Sequence, residues 1–396
     1  MMVDAEMSHI TKDVDCARIF RNDRKYIRRF KWKRRALEKE DGEHLDMSCE
    51  AIRQRVLPPR NKNNGFPIAF AKVVYRDYAF LEEQLAITYT DENWFCFAID
   101  EKAPEWFYKR IVKLSNCLPN ILLAKKRWPT DSAGHYQNHA HWDCLQQLQA
   151  VQWNYVILLQ NHDVFLKTND EVANILRTLN GANDILITPC PKPVCRWSLK
   201  KKLGTLKLCP KNLNDTEAAA CRKRKLTWGK GTVQVSLARK TVDYMLDQLD
   251  LTPLMDELNK VDYGGDEVVM QTIAVTPEIR LPGGFHSGCF PNSTRYITRH
   301  TTWFPGEVKC RTKKIRHSVC VYGVEDLHEL ATIPSLTANK FMPTFDYAAI
   351  RCISELLRNR TLGLTKSKID NKYYENLQLV KYNKHHTNNP DMLYCD

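Results

Sequence analysis

The 396-residue chain carries 59 Lys and Arg against 46 Asp and Glu, a formal charge of +13, with 43% hydrophobic and 27% charged residues. That balance belongs to a globular protein with a sizeable core, one large domain or two ordinary ones, and excludes a low-complexity or disordered chain. No window approaches the roughly 20 apolar residues that span a bilayer, and the opening MMVDAEMSHITKDVD has no apolar signal-peptide core.

The excess positive charge is concentrated in Arg21 to Arg35 and in Arg222-Lys-Arg-Lys225. Such runs read first as solvated surface and second as contacts for phosphates or a polyanion. No zinc-finger, RRM or KH signature accompanies them, so nucleic acid is not an expected partner. Fourteen cysteines spread along the chain, an even count, point to disulfides in an oxidising compartment. No CxxC pair occurs, and the Cys190/Cys195 and Cys209/Cys221 spacings are weak for zinc. Three sequons, at Asn214, Asn292 and Asn359, agree with secretion.

In chain order, residues 1–63 are charged and irregular and end in the turn-like Pro58–Gly65 stretch. Short apolar strands are predicted over Ile68–Val74, Trp94–Ile99, Ile121–Ala124, Tyr155–Leu159 and Ile185–Thr188. Helices alternate with them near Leu81–Thr88, Pro104–Ser115 and Asn138–Val151. This alternation predicts an α/β fold with a mostly parallel central sheet flanked by helices. Thr168-Asn-Asp-Glu171 has the form of a capping box opening a helix that closes at Gly181. Residues 189–228, rich in Lys, Arg, Pro and Cys, read as a long irregular excursion. The sheet resumes at Thr232–Leu237, followed by helices over Lys240–Leu249 and Glu267–Ala274, a strand at Ser318–Tyr322 and a helix over Phe345–Arg358. From Lys366 the chain is polar and reads as a loosely held tail.

Three clusters carry candidate chemistry. Asp100 closes the apolar run Phe95-Cys-Phe-Ala-Ile, at the carboxyl end of a strand, where ligands bind in open α/β sheets. It suits a ribose or uracil contact, or equally a helix cap. Gly264-Gly-Asp266-Glu267 sets two acids after a tight turn at a helix start. The helix dipole favours an ionised carboxylate there, and Glu267 fits a general base, although pattern alone reads first as the usual acid enrichment of a helix's first turn. Arg316 and Lys340, near the carboxyl end, are fixed cations able to neutralise a diphosphate. His135, His139, His141 and Asp143 have no recognised metal frame, and no metal is expected.

Taken in order, Phe66-Pro-Ile-Ala-Phe, Trp94 to Lys102, Asp163-Val-Phe-Leu-Lys-Thr-Asn169, Gly265-Asp-Glu267, Ser318-Val-Cys-Val-Tyr-Gly323 with Asp326-Leu, and Ala338-Asn-Lys-Phe341 resemble the core-2/I-branching β-1,6-N-acetylglucosaminyltransferases, across roughly residues 66–353. The divergent middle is similar to the nematode branch of that family. The resemblance implies a GT-A nucleotide-sugar transferase fold, an inverting mechanism, UDP-GlcNAc as donor and a glycan or glycoprotein acceptor. It implies Glu267 as base and Arg316 with Lys340 as the diphosphate pair in place of a metal, with Asp100 and the uridine-side Val74 at the nucleotide. Consistent with a metal-free scheme, the only Asp-x-Asp is Asp13-Val-Asp15, far upstream. Arg196-Trp197 matches one acceptor-side pair, with Asp266 beside the base, whereas the family's acceptor Glu has no clear counterpart in Pro189–Lys202.

By the same resemblance the expected disulfides are Cys16–Cys352, Cys49–Cys117, Cys96–Cys144 and Cys310–Cys320. Six further cysteines lie outside that frame, and Cys209 with Cys221 is one pairing open to them. The expected organisation is a stem-like segment over 1–63, a catalytic domain over 64–362 and a polar tail over 363–396. The family implies a Golgi, lumenal, membrane-anchored enzyme, yet no anchor is found in this sequence. Another UDP-sugar donor, such as xylose or glucose, and a non-catalytic glycan-binding relative are the alternatives. Intact Glu267, Arg316 and Lys340 argue against the latter.

Overall fold

A computed structural model describes residues 11–37, 45–57, 63–190, 201–285, 295–366 and 369–388. Its strands are β1 (Ile68–Val74), β2 (Trp94–Ile99), β3 (Ile121–Leu123), β4 (Tyr155–Gln160), β5 (Val164–Phe165), β6 (Thr188–Pro189), β7 (Gly229–Lys230), β8 (Ser236–Ala238), β9 (Arg299–His300), β10 (Ile315–Arg316), β11 (Val319–Cys320) and β12 (Thr337–Ala338). Five of them form the central sheet in the order β3-β2-β1-β4-β8, parallel except for β8.

The central strand is buried on both faces, which is why its sequence reads as a continuous apolar run. Alternation still sorts it. Ile68, Phe70 and Val74 enter one layer of the core with Phe95, Phe97 and Ile157, and Ala69, Ala71 and Val73 enter the other. The small residues on the second face let the helix Gln137–Leu148 lie close over β1 and β2. The Cys96–Cys144 bridge fastens it there. Register then aligns three strand exits. Val74 sits opposite Ile99 and Val73 opposite Gln160, so the segments after β1, β2 and β4 emerge at one edge of the sheet.

The capping box forms as its sequence indicates. The Thr168 hydroxyl accepts from the Glu171 N–H at 3.2 Å, Glu171 accepts from the Thr168 N–H at 2.8 Å, and the helix runs Asn169–Leu179. Elsewhere tertiary context overrides the pattern. Ile185 and Ile187 are buried, but only Thr188–Pro189 pairs as a strand, with β7 outside the main sheet, because β8 occupies the place beside β4. The helix expected over Glu267–Ala274 is divided. A tight turn covers Gly265–Glu267 and the α-helix starts at Val269, because Val268 adopts φ −129°.

The carboxyl-terminal stretch is not loose within the described residues. Helices Asn371–Glu375 and Gln378–Asn388 bury Tyr374, Leu377, Leu379 and Tyr382, and the Tyr374 hydroxyl donates to the Pro334 carbonyl at 2.9 Å. A few apolar side chains at three- to four-residue spacing anchor a segment whose composition is polar.

The four family-implied disulfides form, and Cys209–Cys221 braces the basic excursion. At the amino-terminal end, Cys16–Cys352 ties the first described helix, Cys16–Phe20, to the helix Pro343–Thr361. A second clamp is Arg34, which donates to Glu325 at 2.6 and 3.0 Å and to Asp346 at 2.6 Å, with both carboxylates buried. Replacing Arg34 by Met strands two buried charges and should lower stability by about 3–5 kcal/mol in urea unfolding. A loss below about 1 kcal/mol, the range of an exposed pair, would show that the clamp is ornamental.

Candidate active site

A cleft of about 510 Å³ opens at the aligned strand exits. One side of it is built from backbone turns held by side chains. Beyond β1, the N–H groups of Tyr75 and Arg76 donate to the Asn161 carboxamide oxygen at 2.8 and 3.3 Å, which ties the exits of β1 and β4 together. Beyond β2, Asp100 accepts the Lys102 N–H at 2.7 Å and the Thr130 hydroxyl. Val74, the uridine-side residue implied by resemblance, does not line the cleft. Its side chain is fully buried in the core, and Val73 and Tyr75 line the cleft instead. The parity of the strand decides this: one residue along, every side chain changes face.

The acids come from the Gly264–Glu267 turn. A Cβ on Gly265 would sit 2.2 Å from the Leu258 carbonyl oxygen, so only glycine allows the turn to press against the preceding helix. Gly134 performs the same service for Asp266, whose carboxylate occupies the space a Cβ would fill at 2.1 Å. Glu267 is half-buried and paired with the Lys230 ammonium at 2.5 Å, and its carbonyl accepts the Gly231 N–H at 2.9 Å. Asp266 is pushed up to about 7, first by desolvation from the surrounding walls and then by the neighbouring Glu267 charge.

The cations face the acids from separate elements. Arg316 ends β10, opposite Val319 of β11, and the two-residue loop between them holds His317 and Ser318 at φ 49° and 58°, the signature of a type I′ hairpin. Cys310–Cys320 pins this hairpin from behind. Lys340 follows β12. The preceding Asn339 donates at 2.9 Å to Asp163, a buried carboxylate that also accepts the Gln160 N–H at 2.6 Å and the Gln234 amide at 3.1 Å. Burial, then repulsion from Arg316 and Arg299, lowers the Lys340 ammonium to about 8.

Asp100, Asp266, Glu267, Arg316 and Lys340 therefore line one cavity. Arg196 and Trp197 lie outside the described residues, as does the sequon at Asn292. Asn214 is an exposed helix cap, whereas Asn359 is half-buried inside the last long helix. The histidines near 140 serve local structure: His135 contacts Asp131 and the Val261 carbonyl, His139 contacts Asp256, and His141 contacts the Leu159 carbonyl. Asp143 accepts the Lys125 and Lys126 N–H groups at 2.9 Å. Among the described residues no three His, Cys, Asp or Glu side chains gather as a metal would require.

Sequence reasoning missed Lys230, Arg299, Tyr263 and Trp303. Lys230 meets Glu267 across 37 residues, a distance that no local pattern reports. Tyr263 and Trp303, exposed aromatics at the mouth, present flat faces of the kind on which sugar rings pack. Tyr263 lies beside Gly264-Gly265, where an aromatic was the available signal, whereas Trp303 adjoins no such motif and reaches the mouth through its bridge to Val319. The assembled cleft brings carboxylates and cations together. That combination can accept a proton at one point and hold an anion at another.

The model of the core-2/I-branching enzyme family matches residues 68–331. The chain is 26% identical over 387 residues to the human beta-1,3-galactosyl-O-glycosyl-glycoprotein beta-1,6-N-acetylglucosaminyltransferase, covering 90% of this chain and 87% of the relative. It is 29% identical over 324 residues to the human N-acetyllactosaminide beta-1,6-N-acetylglucosaminyl-transferase, covering 78% and 77%. It is 28% identical over 347 residues to a mouse enzyme of the first type, the one numbered 4, covering 83% and 75%.

The Asp266 environment has a consequence for stability. An acid whose folded pKa is about 7 against an ordinary 3.8 favours the fold while protonated, and that contribution is lost as pH rises between the two values. Relative to the parent protein, Asp266→Asn should gain melting temperature progressively from about pH 4 to about pH 7 and hold a constant advantage above. A difference independent of pH across that range would show that Asp266 is not desolvated.

Proposed function

The chain belongs to the core-2/I-branching enzyme family and is a glycosyltransferase, and on that premise we propose that it moves N-acetylglucosamine from UDP-GlcNAc to a glycan hydroxyl, with inversion and without a divalent metal. The acceptor is an O-glycan or a related chain branched at a 6-hydroxyl, in keeping with the activities named for its relatives.

In this reading the nucleotide lies along the strand exits near Tyr75 and Asp100, and the diphosphate meets Arg316 and Lys340. Glu267 accepts the proton of the acceptor hydroxyl as that oxygen attacks the anomeric carbon. The bond from that carbon to the β-phosphate oxygen breaks with its electron pair leaving on UDP. One bond forms as one breaks on the opposite face, which inverts the centre. A positioned general base contributes about 10²- to 10⁴-fold to such a step. Arg316 and Lys340 stabilise the charge that builds on the leaving diphosphate. Lys230 meets the Glu267 carboxylate at 2.5 Å and fixes its direction. The observation that carries the reading is the convergence of Glu267 with Arg316 and Lys340 on one cleft.

The disulfides favour an oxidising compartment, and we place the enzyme in the lumen of the Golgi or secretory pathway. Among the described residues no helix is long and apolar enough to cross a membrane.

Glu267→Gln should lower transfer from UDP-GlcNAc to an O-glycan acceptor by about 10²-fold or more while UDP affinity stays within a few-fold of the parent. Turnover equal to the parent's would remove Glu267 from the reaction.

A further inference from the structure

Arg299 is buried in the cleft wall at 8% exposure, and its Nε is buried with no hydrogen-bond partner among the described residues. No carboxylate among the described residues comes within ion-pair distance of it. The acids of the cleft are otherwise engaged: Glu267 with Lys230, Asp131 with His135, and Asp100 with the Thr130 hydroxyl and the Lys102 N–H. Asp266 acts on it as a negative charge at longer range. A buried cationic N–H without an acceptor is unfavourable, so the free protein holds this group at a disadvantage that an anionic ligand would relieve.

The position identifies the anion. Arg299 lies on β9, which runs parallel to β12 with Arg299 opposite Thr337, and Lys340 follows three residues later. Arg299 and Arg316 are the two cations that repel the Lys340 ammonium most. Three positive side chains thus face one region of the cleft, between the nucleotide turns and Glu267. The Trp303 ring lies 5.9 Å from the Arg299 guanidinium.

We propose that Arg299 is a third cation for the donor's diphosphate, contacting it alongside Arg316 and Lys340. This rests on the nucleotide-sugar reading and adds to it a residue that the sequence pattern did not single out. A planar guanidinium can meet two phosphate oxygens at once, whereas Lys340 offers a point charge. Arg299 would share the charge that appears on the β-phosphate as the glycosidic bond breaks.

Calorimetry on the full chain with UDP, UMP and uridine tests this. Arg299→Met should weaken UDP binding by about tenfold or more, with uridine affinity unchanged within about twofold and UMP between them. Arg299→Lys should recover part of the loss. The ligand-free Arg299→Met protein should melt no lower than the parent, because it no longer buries an uncompensated charge. Equal UDP affinity in the parent and Arg299→Met overturns the proposal. So does a parallel loss of uridine and UDP, which marks a disturbed fold. Unchanged UDP affinity with a raised acceptor KM also overturns it, because the cation then serves an acidic acceptor. A parent protein that fails to bind UDP would instead bring down the nucleotide-sugar reading itself.

Discussion

Like charges held together in a partly desolvated cleft repel one another, and the structure keeps Arg316, Lys340 and Arg299 in that arrangement. Lys340 registers the strain most plainly: burial and its two neighbours bring its ammonium to about 8. Such a cluster is unfavourable in the empty protein and favourable once a multivalent anion enters. Preorganised charge of this sort needs no rearrangement as negative charge builds on a leaving group. Everything around the cleft can be understood as holding that charge in place.

The supports come from distant parts of the chain. Arg316 is aimed by a two-residue hairpin that the Cys310–Cys320 bridge fastens. Lys340 is aimed through Asn339, whose amide is fixed by buried Asp163 at the exit of β4. Asp163 therefore links the parallel sheet to the cation wall, and Asn161 links the exits of β1 and β4 on the nucleotide side. The opposing acids sit on a turn that only glycine permits against the Leu258 carbonyl. Rigid elements supply the precision, and the covalent cross-links limit how far the amino- and carboxyl-terminal portions of the chain can separate.

The parts of this design that are local in sequence were legible before any coordinates. β1, β2 and β4 announce themselves as apolar runs, and the Thr168–Glu171 cap writes its own helix start. Glu267, Asp100 and Lys340 sit in short motifs whose order along the chain carries the family resemblance, Arg316 lies two residues ahead of one, and all four line the cleft. What escaped depends on parity or on distance. Val74, a nucleotide-side residue by resemblance, is turned into the core by strand alternation, and its neighbours Val73 and Tyr75 line the cleft. Ile185–Ile187 has the composition of a strand but finds its place beside β4 already filled. The apolar anchors of the carboxyl-terminal helices, Tyr374, Leu377 and Tyr382, are diluted among polar neighbours. Lys230 and Arg299 gain meaning only from partners, or the lack of them, contributed by other elements.

The central claim is that protein cations do at the diphosphate what a divalent ion does in other nucleotide-sugar transferases. It is tested most directly by release of UDP from UDP-GlcNAc, with an O-glycan acceptor present, in buffer containing excess EDTA. The account predicts the same turnover with and without the chelator. Complete loss of turnover on chelation, restored by added Mn²⁺, would contradict it.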